Sequence, residues 1–286
     1  MQNQPDEMKK LMLADEGCYL ITADLSQAEN RVVAYVADIP RMIEAFEQGR
    51  DVHRMTASLI YGKPESEISD VPRSGVGVLS ERGVGKHSNH GLNYGLSAEG
   101  FALRWELDIK DATTIVNKYH AAYPEIRQWQ ESIKFSLRNS RTLKNLFSRK
   151  VTFAGSLGEQ LFLSAYSFIP QSTVADLLNR RGLIYVYEEK SIFKDIELLN
   201  QVHDSIVLQV PVSIPPVDVA YTLTKLCDSL EVPICYQSRI FKISVDISIG
   251  YNLYDMTKYS SKEVRQLGFY EKIKAFLSGG TNGKKM

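Results

Sequence analysis

Apolar and polar positions divide the chain into stretches of two different periods. Residues 18–24, CYLITAD, are an apolar run closed by a carboxylate; so short a run predicts a buried strand. From Ser26 the period lengthens. SQAENRVVAYVADIPRMIEAFEQG reads as helix, with Ser26 and Glu29 spaced as a capping box. GRDVHRMTASLIYG opens another helix, with Arg50, Asp51 and His53 at its head. The Gly-, Pro- and Ser-rich GKPESEISDVPRSGVGVLSE is a loop. Residues 97–139 keep a helical period, broken by the turn before Pro124. Residues 161–187 make a long helix candidate, with Pro170 near its front and Gln171 as a polar position. Residues 196–211, IELLNQVHDSIVLQVP, read as two short strands around a tight turn at His203 and Asp204. VDVAYTLTKLCDSLE follows as an amphipathic helix, FKISVDISIG as a strand and residues 262–277 as a short helix. The chain opens on a polar segment with a short amphipathic turn, and the tail SGGTNGKKM is expected to be disordered. No internal repeat interrupts this order.

Composition changes the picture little. At 286 residues, 44% apolar and 24% charged, the chain has the make-up of a soluble protein with one large or two moderate domains. Lysine plus arginine equals aspartate plus glutamate at 34 each, so a nucleic-acid surface would need charges segregated within the chain. Cys18, Cys227 and Cys235 lack metal-ligand spacing and read as buried apolar residues of a reducing compartment. No apolar run reaches membrane-spanning length and no signal-peptide pattern opens the chain, which gives a cytosolic type of sequence.

Candidate chemistry concentrates in a few places. In RGVGKHSNHGLNYG, Arg82, Lys86, His90 and Tyr94 recur every four residues, which on a helix puts them on one face. Two cations, an imidazole and a phenol could grip a ligand anionic at one end and flat at the other, as a nucleoside triphosphate is; a solvated basic face has the same spacing. Gly83, Gly85 and Gly91 weigh against helix, at about 1 kcal/mol each relative to alanine. Asp24, where a buried strand gives way to a helix, stands where metal ligands and catalytic groups are common, and where a plain strand-end aspartate is also ordinary. Glu29 has the capping box as its local explanation. Arg138, Arg141, Lys144, Arg149 and Lys150, with Phe147 among them, form either a solvated face or a contact for nucleic-acid phosphates. An aspartate at a turn, such as Asp204, is normally just solvated.

Three segments together resemble the polymerase I family (family A) of DNA polymerases. DLSQAENRVVAY is similar to that family's motif A, RGVGKHSNHGLNYG to motif B and QVHDSIVLQVP to motif C, in the family's order. Shorter matches lie at Gln2-Asn3, FEQGRDVH, YPEIRQW, LFSRK and QSTVAD, so the likeness covers nearly all of residues 2–255. It implies an α+β fold: a right-hand palm, an antiparallel sheet with helices, carrying a helical fingers insertion, with thumb and exonuclease domains absent. The expected division is residues 1–45 palm, 46–154 fingers, 155–260 palm, and 261–286 C-terminal helix and tail. The implied activity is transfer of a nucleotide from a dNTP to a primer 3′-hydroxyl with two Mg²⁺ ions, for which Mn²⁺ could substitute. The resemblance makes Asp24, Asp204 and the Leu25 carbonyl metal ligands, with Lys86 joining the two aspartates in catalysis. Arg82, Lys86 and His53 would bind the triphosphate, and His90, Tyr94, Glu29 and Gln27 the rest of the nucleotide. Glu29 would be the steric gate against a ribose 2′-hydroxyl, and Tyr94 would lie by the templating base. Gln171, Gln201, His203, Arg149, Lys150 and Arg31 would contact primer-template DNA.

Three positions depart from the family pattern: His90 where Phe or Tyr is usual, Ser205 for the motif C glutamate, and Leu25 for a common aromatic. Such variants suit a viral, phage-type enzyme acting in the host cytoplasm. The chain opens inside the palm, so a separate N-terminal polypeptide carrying the thumb or exonuclease is an expected partner; no membrane is. The competing readings are a non-catalytic DNA-binding remnant and a single-subunit RNA polymerase relative, the latter disfavoured by Glu29 and NHGLNYG.

Overall fold

In a computed structural model, which describes residues 6–72 and 78–280, the central strand β1 (Cys18–Leu25) is flanked on both sides. The sheet is antiparallel, in the order β4-β5-β1-β8-β9, with β4 Glu197–Val202, β5 Ser205–Pro211, β8 Val245–Gly250 and β9 Met256–Ser260. Its strands alternate. Tyr19, Ile21, Ala23 and Leu25 are wholly buried with Ile206, Leu208, Val210, Val245, Ile247 and Ile249 on one face. Burying one such side chain contributes about 1.5–3 kcal/mol, so this face fixes the pairing of the strands. Phe276 of α12 (Phe269–Gly280) covers part of it, 5.8 Å from the Tyr19 ring and stacked on Tyr251. The opposite face carries Thr22, Asp24, Ser205, Asp246, Ser248 and Lys258, residues that pair directly across or lie next to one another in the ladder. The buried Gln209 carboxamide ties the opening segment to the sheet: it accepts from the Asp15 amide at 3.0 Å and donates to Asp15 Oδ2 and Glu197 Oε2.

This sheet belongs to a compact unit of residues 1–28, 174–235 and 240–286, together with α10 (Pro216–Leu230), α11 (Ser261–Val264) and α12. The second unit, residues 29–173 and 236–239, is helical: α1 Ala28–Val36, α2 Pro40–Glu47, α3 Val52–Tyr61, α4 Glu81–Asn93, α5 Ala98–Trp105, α6 Ile109–Ala122 and α7 Pro124–Ser140. It also holds the small hairpin β2 (Thr142–Lys144) and β3 (Lys150–Thr152). Tyr119, Tyr123, Phe101, Ile126 and Leu137 are wholly buried here. The long helix arrives as α8 (Glu159–Leu178), a π-helical turn Asn179–Leu183 and α9 (Ile184–Glu188). No helix of the described residues is long and apolar enough to cross a membrane.

Several local expectations are corrected. α1 begins at Ala28, because Gln27 takes a left-handed backbone (φ 50°), so Glu29 is not three residues past a cap and no capping box forms. Residues 262–277 hold two helices rather than one, with Gly268 at φ 101° between them. The polar edge strand β9 and the three-residue β6 (Ile234–Tyr236) and β7 (Arg239–Phe241) were not foreseen. Of the cysteines, Cys227 is buried, Cys18 half-buried and Cys235 exposed. Ser278 and the two glycines after it close α12; the rest of the tail expected to be disordered, the loop residues 73–77 and the Gln2-Asn3 match lie outside the described residues.

Candidate active site

The sheet unit presents its carboxylates at the end of the middle strand. Asp24 pairs with Ser205 on one side and with Asp246 on the other, and the Leu25 amide donates to the Asp204 carbonyl at 3.0 Å. Asp204 therefore sits beside the end of β1, at the tip of the β4–β5 hairpin. The turn is tight because His203 adopts φ 53°, the left-handed backbone that two-residue hairpin loops require. Ser205 Oγ donates to the Val202 carbonyl at 3.0 Å, and Gln201 Nε2 to the His203 carbonyl at 3.4 Å. Asp24, Asp204 and Gln201 are half-buried and His203 exposed. Lys258 Nζ holds Asp246 Oδ2 at 2.7 Å, which balances a carboxylate that would otherwise face Asp24 across the strands. Among the described residues no group of three or more His, Cys, Asp or Glu side chains is arranged to hold a metal. A two-carboxylate site suits Mg²⁺, which takes one or two carboxylates and fills its remaining positions with water and substrate phosphates.

The helical unit carries the stripe. α4 is a true helix despite its glycines. Ser80 caps it by accepting from the Gly83 amide, and the side chain of Gln130 takes up its last carbonyls, those of Leu92 and Asn93, at 3.1 and 2.9 Å. Gly85 explains one glycine: a Cβ there would fall 2.1 Å from the His53 carbonyl oxygen, so only glycine allows α3 and α4 this approach. Arg82, Lys86 and His90 lie on one face, and Tyr94 is the C-cap residue. Arg82 Nε pairs with Asp51 Oδ2 at 2.7 Å; Asp51 is also the N-cap of α3, accepting from the His53 and Arg54 amides. Burial works to raise the Asp51 carboxyl, but the hydrogen bonds from Arg82 and the Arg54 amide, with the Arg82 charge, hold it below the usual range. Lys86 and His90 are exposed, and the His90 ring meets Tyr94 edge-on at 5.5 Å. The Tyr94 hydroxyl donates to Glu29, and burial plus that carboxylate push its pKa far up. His87, on the next face, packs against the Trp105 ring, with centroids 3.7 Å apart and planes tilted by 35°.

The other expected residues are dispersed. Gln171 on α8, and Arg149 and Lys150 at the β2–β3 hairpin, are exposed. The Arg31 guanidinium lies over the Phe46 ring at 4.3 Å. Gln27 brings a buried Oε1 with no hydrogen-bond partner among the described residues. Sequence reasoning missed Asp51 as the clamp on Arg82, although its position at a helix head was the available signal. It missed as well the buried polar side chains behind the stripe, Thr56, Asn89, Asn93, Tyr119 and Tyr123.

The model of DNA polymerase family A matches residues 1–254. The chain belongs to DNA polymerase family A. It is 30% identical over 217 residues to DNA polymerase I of Aquifex aeolicus, covering 73% of this chain and 35% of the relative. It is 29% identical over 213 residues to the thermostable DNA polymerase I of Thermus aquaticus, covering 71% and 24%. The chain thus spans about a third or less of these family A relatives. Among solved structures, it is similar to the POL domain of Pol1 from M. smegmatis in complex with DNA primer-template and dNTP. The TM-score is 0.72 at 22% identity, over 89% of this chain and 44% of that one, and this likeness shows the fold.

Proposed function

We propose that this family A chain carries out template-directed DNA synthesis, transferring a nucleotide from a dNTP to a primer 3′-hydroxyl. The observation that carries the reading is the placement of Asp24 beside the Asp204 turn at the centre of the sheet. In this reading residues 1–45 and 155–260, which carry the sheet, are the palm, and the helical residues 46–154 are the fingers. Asp24, Asp204 and the Leu25 carbonyl would hold two Mg²⁺ ions, with Mn²⁺ as a substitute. When bound, the ions supply Lewis-acid stabilisation of the attacking 3′-oxygen and of the leaving pyrophosphate. With Ser205 contributing no charge and Asp246 taken by Lys258, the carboxylate set is Asp24 and Asp204.

Arg82, held by Asp51, and Lys86 bind the triphosphate and offset the charge that builds on its oxygens as the bond breaks. His53 adds a hydrogen bond, Gln27 lines the nucleotide site and His90 stacks against the sugar. Tyr94 lies by the templating base and tethers Glu29, and a tethered carboxylate is a firmer gate against a 2′-hydroxyl than a mobile one. Gln171, Gln201 and His203 meet the primer end and minor groove, whose acceptors are common to all base pairs, so they check pair shape without reading sequence. Arg149, Lys150 and Arg31 neutralise DNA phosphates. We assign further grip on the DNA to segments outside this chain, in the same or a separate polypeptide, and the reaction to the cytoplasm, a host's if the enzyme is viral.

The test is primer extension with single dNTPs. The incorporated base should follow the template base, require Mg²⁺ or Mn²⁺ and favour deoxy- over ribonucleotides. Binding of primer-template without metal-dependent incorporation would favour a non-catalytic DNA-binding role, to which the loss of the motif C carboxylate at Ser205 gives some support.

A further inference from the structure

Behind the stripe, a chain of buried side chains leads from the core to His53. The Tyr123 hydroxyl lies 2.9 Å from Thr56 Oγ1, Thr56 Oγ1 lies 3.0 Å from Asn89 Oδ1, and Asn89 Nδ2 lies 3.0 Å from His53 Nδ1. Thr56, Asn89 and Tyr123 are wholly buried. We propose that Asn89 is a positioning residue: the relay Tyr123–Thr56–Asn89 fixes His53 as the neutral Nε2–H tautomer, ready to donate one hydrogen bond to an oxygen of the incoming triphosphate. The ligand rests on the polymerase reading; the tautomer does not.

Donor bookkeeping sets the direction of the relay. Among the described residues, Thr56 is the sole hydrogen-bond partner of the Tyr123 hydroxyl. A buried phenol proton has to be given to something, so Tyr123 donates and Thr56 accepts. Thr56 then turns its own proton to its other partner, Asn89, whose carbonyl oxygen must face it. The amide NH₂ of Asn89 is left facing His53, and a donor pointed at Nδ1 leaves that nitrogen its lone pair and puts the ring proton on Nε2. The opposite direction would strand the phenol proton in the core.

The surroundings favour a neutral ring. The charged and titratable groups around His53 are Asp51 at the head of its own helix, and Arg82, Lys86 and His87 on α4. Burial is the largest influence and lowers the imidazole to about 4; Asp51 opposes it, and the two cations and His87 add to it. The triphosphate site then holds two fixed positive charges and one neutral donor. A third cation packed against Arg82 and Lys86 would repel both and would be lost on deprotonation near neutral pH. The neutral donor keeps its hydrogen bond across the working range.

The experiment is long-range ¹H–¹⁵N correlation on the whole chain with ¹⁵N-labelled histidine, the His53 signals assigned by their loss in His53→Gln. Wild type should show the Nε2–H tautomer at pH 7. Tyr123→Phe keeps the ring packing and removes only the anchoring proton, so the relay can reverse and both tautomers should appear. Asn89→Asp faces Nδ1 with an acceptor and should move the ring proton there, which leaves Nε2 without its donor. The dNTP KM should rise about ten-fold or more in Asn89→Asp, the weight of one hydrogen bond to a charged acceptor, with a smaller change in kcat. An Nδ1–H or charged His53 in wild type overturns the proposal, as does an unchanged tautomer in both variants. A switched tautomer with an unchanged KM overturns the phosphate-donor role. A chain that incorporates no nucleotide at all fails the polymerase reading, while the tautomer result still stands.

Discussion

Gly85→Ala should destabilise the helical unit, against the propensity of the residues involved. Alanine in a helix interior is favoured over glycine by about 1 kcal/mol. The added Cβ would lie 2.1 Å from the His53 carbonyl oxygen, 2.9 Å from the Ala57 amide nitrogen and 3.1 Å from Ala57 Cβ. An ordinary contact is about 3.5 Å, so α3 has to retreat by about 1 Å or more. Two of the three atoms are backbone, and no rotamer change relieves them. Overpacking of this kind costs about 3 kcal/mol at the upper end of its usual range, which leaves a net loss of about 2 kcal/mol. That corresponds to a fall in Tm of about 4–8 °C for a chain of this size. The same retreat carries Asp51 and His53 away from Arg82, so the dNTP KM should rise too. Gly91→Ala is the control, since its Cβ would meet the end of the Leu96 side chain, which can move. Thermal unfolding of both variants reads the difference. A Gly85→Ala protein as stable as wild type, or one that behaves like Gly91→Ala, would refute the close-approach argument.

Acid should weaken the fold early. Burial lowers His53, His87 and His120 to about 4 each, while in the unfolded chain they titrate near 6.5. Between those values the unfolded state binds more protons, so their contribution is complete above pH 6.5 and shrinks as pH falls towards 4. Allowing for screening at half-exposed rings, the loss at pH 5 is about 1 kcal/mol each, and urea unfolding at pH 7 and 5 should show it; equal midpoints would contradict it. Asn93→Ala strands Asn30 Oδ1 and the Tyr119 hydroxyl, which it now bonds at 3.0 and 2.9 Å, and should cost about 2–4 kcal/mol in the same assay. His90→Phe should alter dideoxynucleotide use more than the overall rate, and an unchanged ratio of dideoxy to deoxy incorporation would count against the stacking role of His90.

Legibility followed periodicity and turn chemistry. β1 and the β4–β5 hairpin could be read because apolar runs stop at Asp24 and at the His203-Asp204 turn. The helices of residues 98–140 could be read because their periods are long and broken at Pro124. β9 could not: MTKYS has no apolar alternation, and an edge strand held by the backbone of β8 needs none. The stripe was visible in the spacing of Arg82, Lys86, His90 and Tyr94, but its glycines argued against a helix, whereas Gly85 serves the close approach of α3 to α4. The capping box at Ser26 failed because one residue, Gln27, turns left-handed before the helix starts. The relay behind His53 joins residues up to 67 apart in sequence, and such pairings leave no periodic trace.

The most direct measurement of the central claim is Mg²⁺-dependent primer extension by the chain and by Asp204→Asn, with circular dichroism to show that both are folded. Asparagine keeps the shape of the turn and removes the charge a metal needs. Templated extension is expected in the wild type, with its loss by a factor of about 100 or more in the variant. Extension by Asp204→Asn at the wild-type rate would contradict the claim.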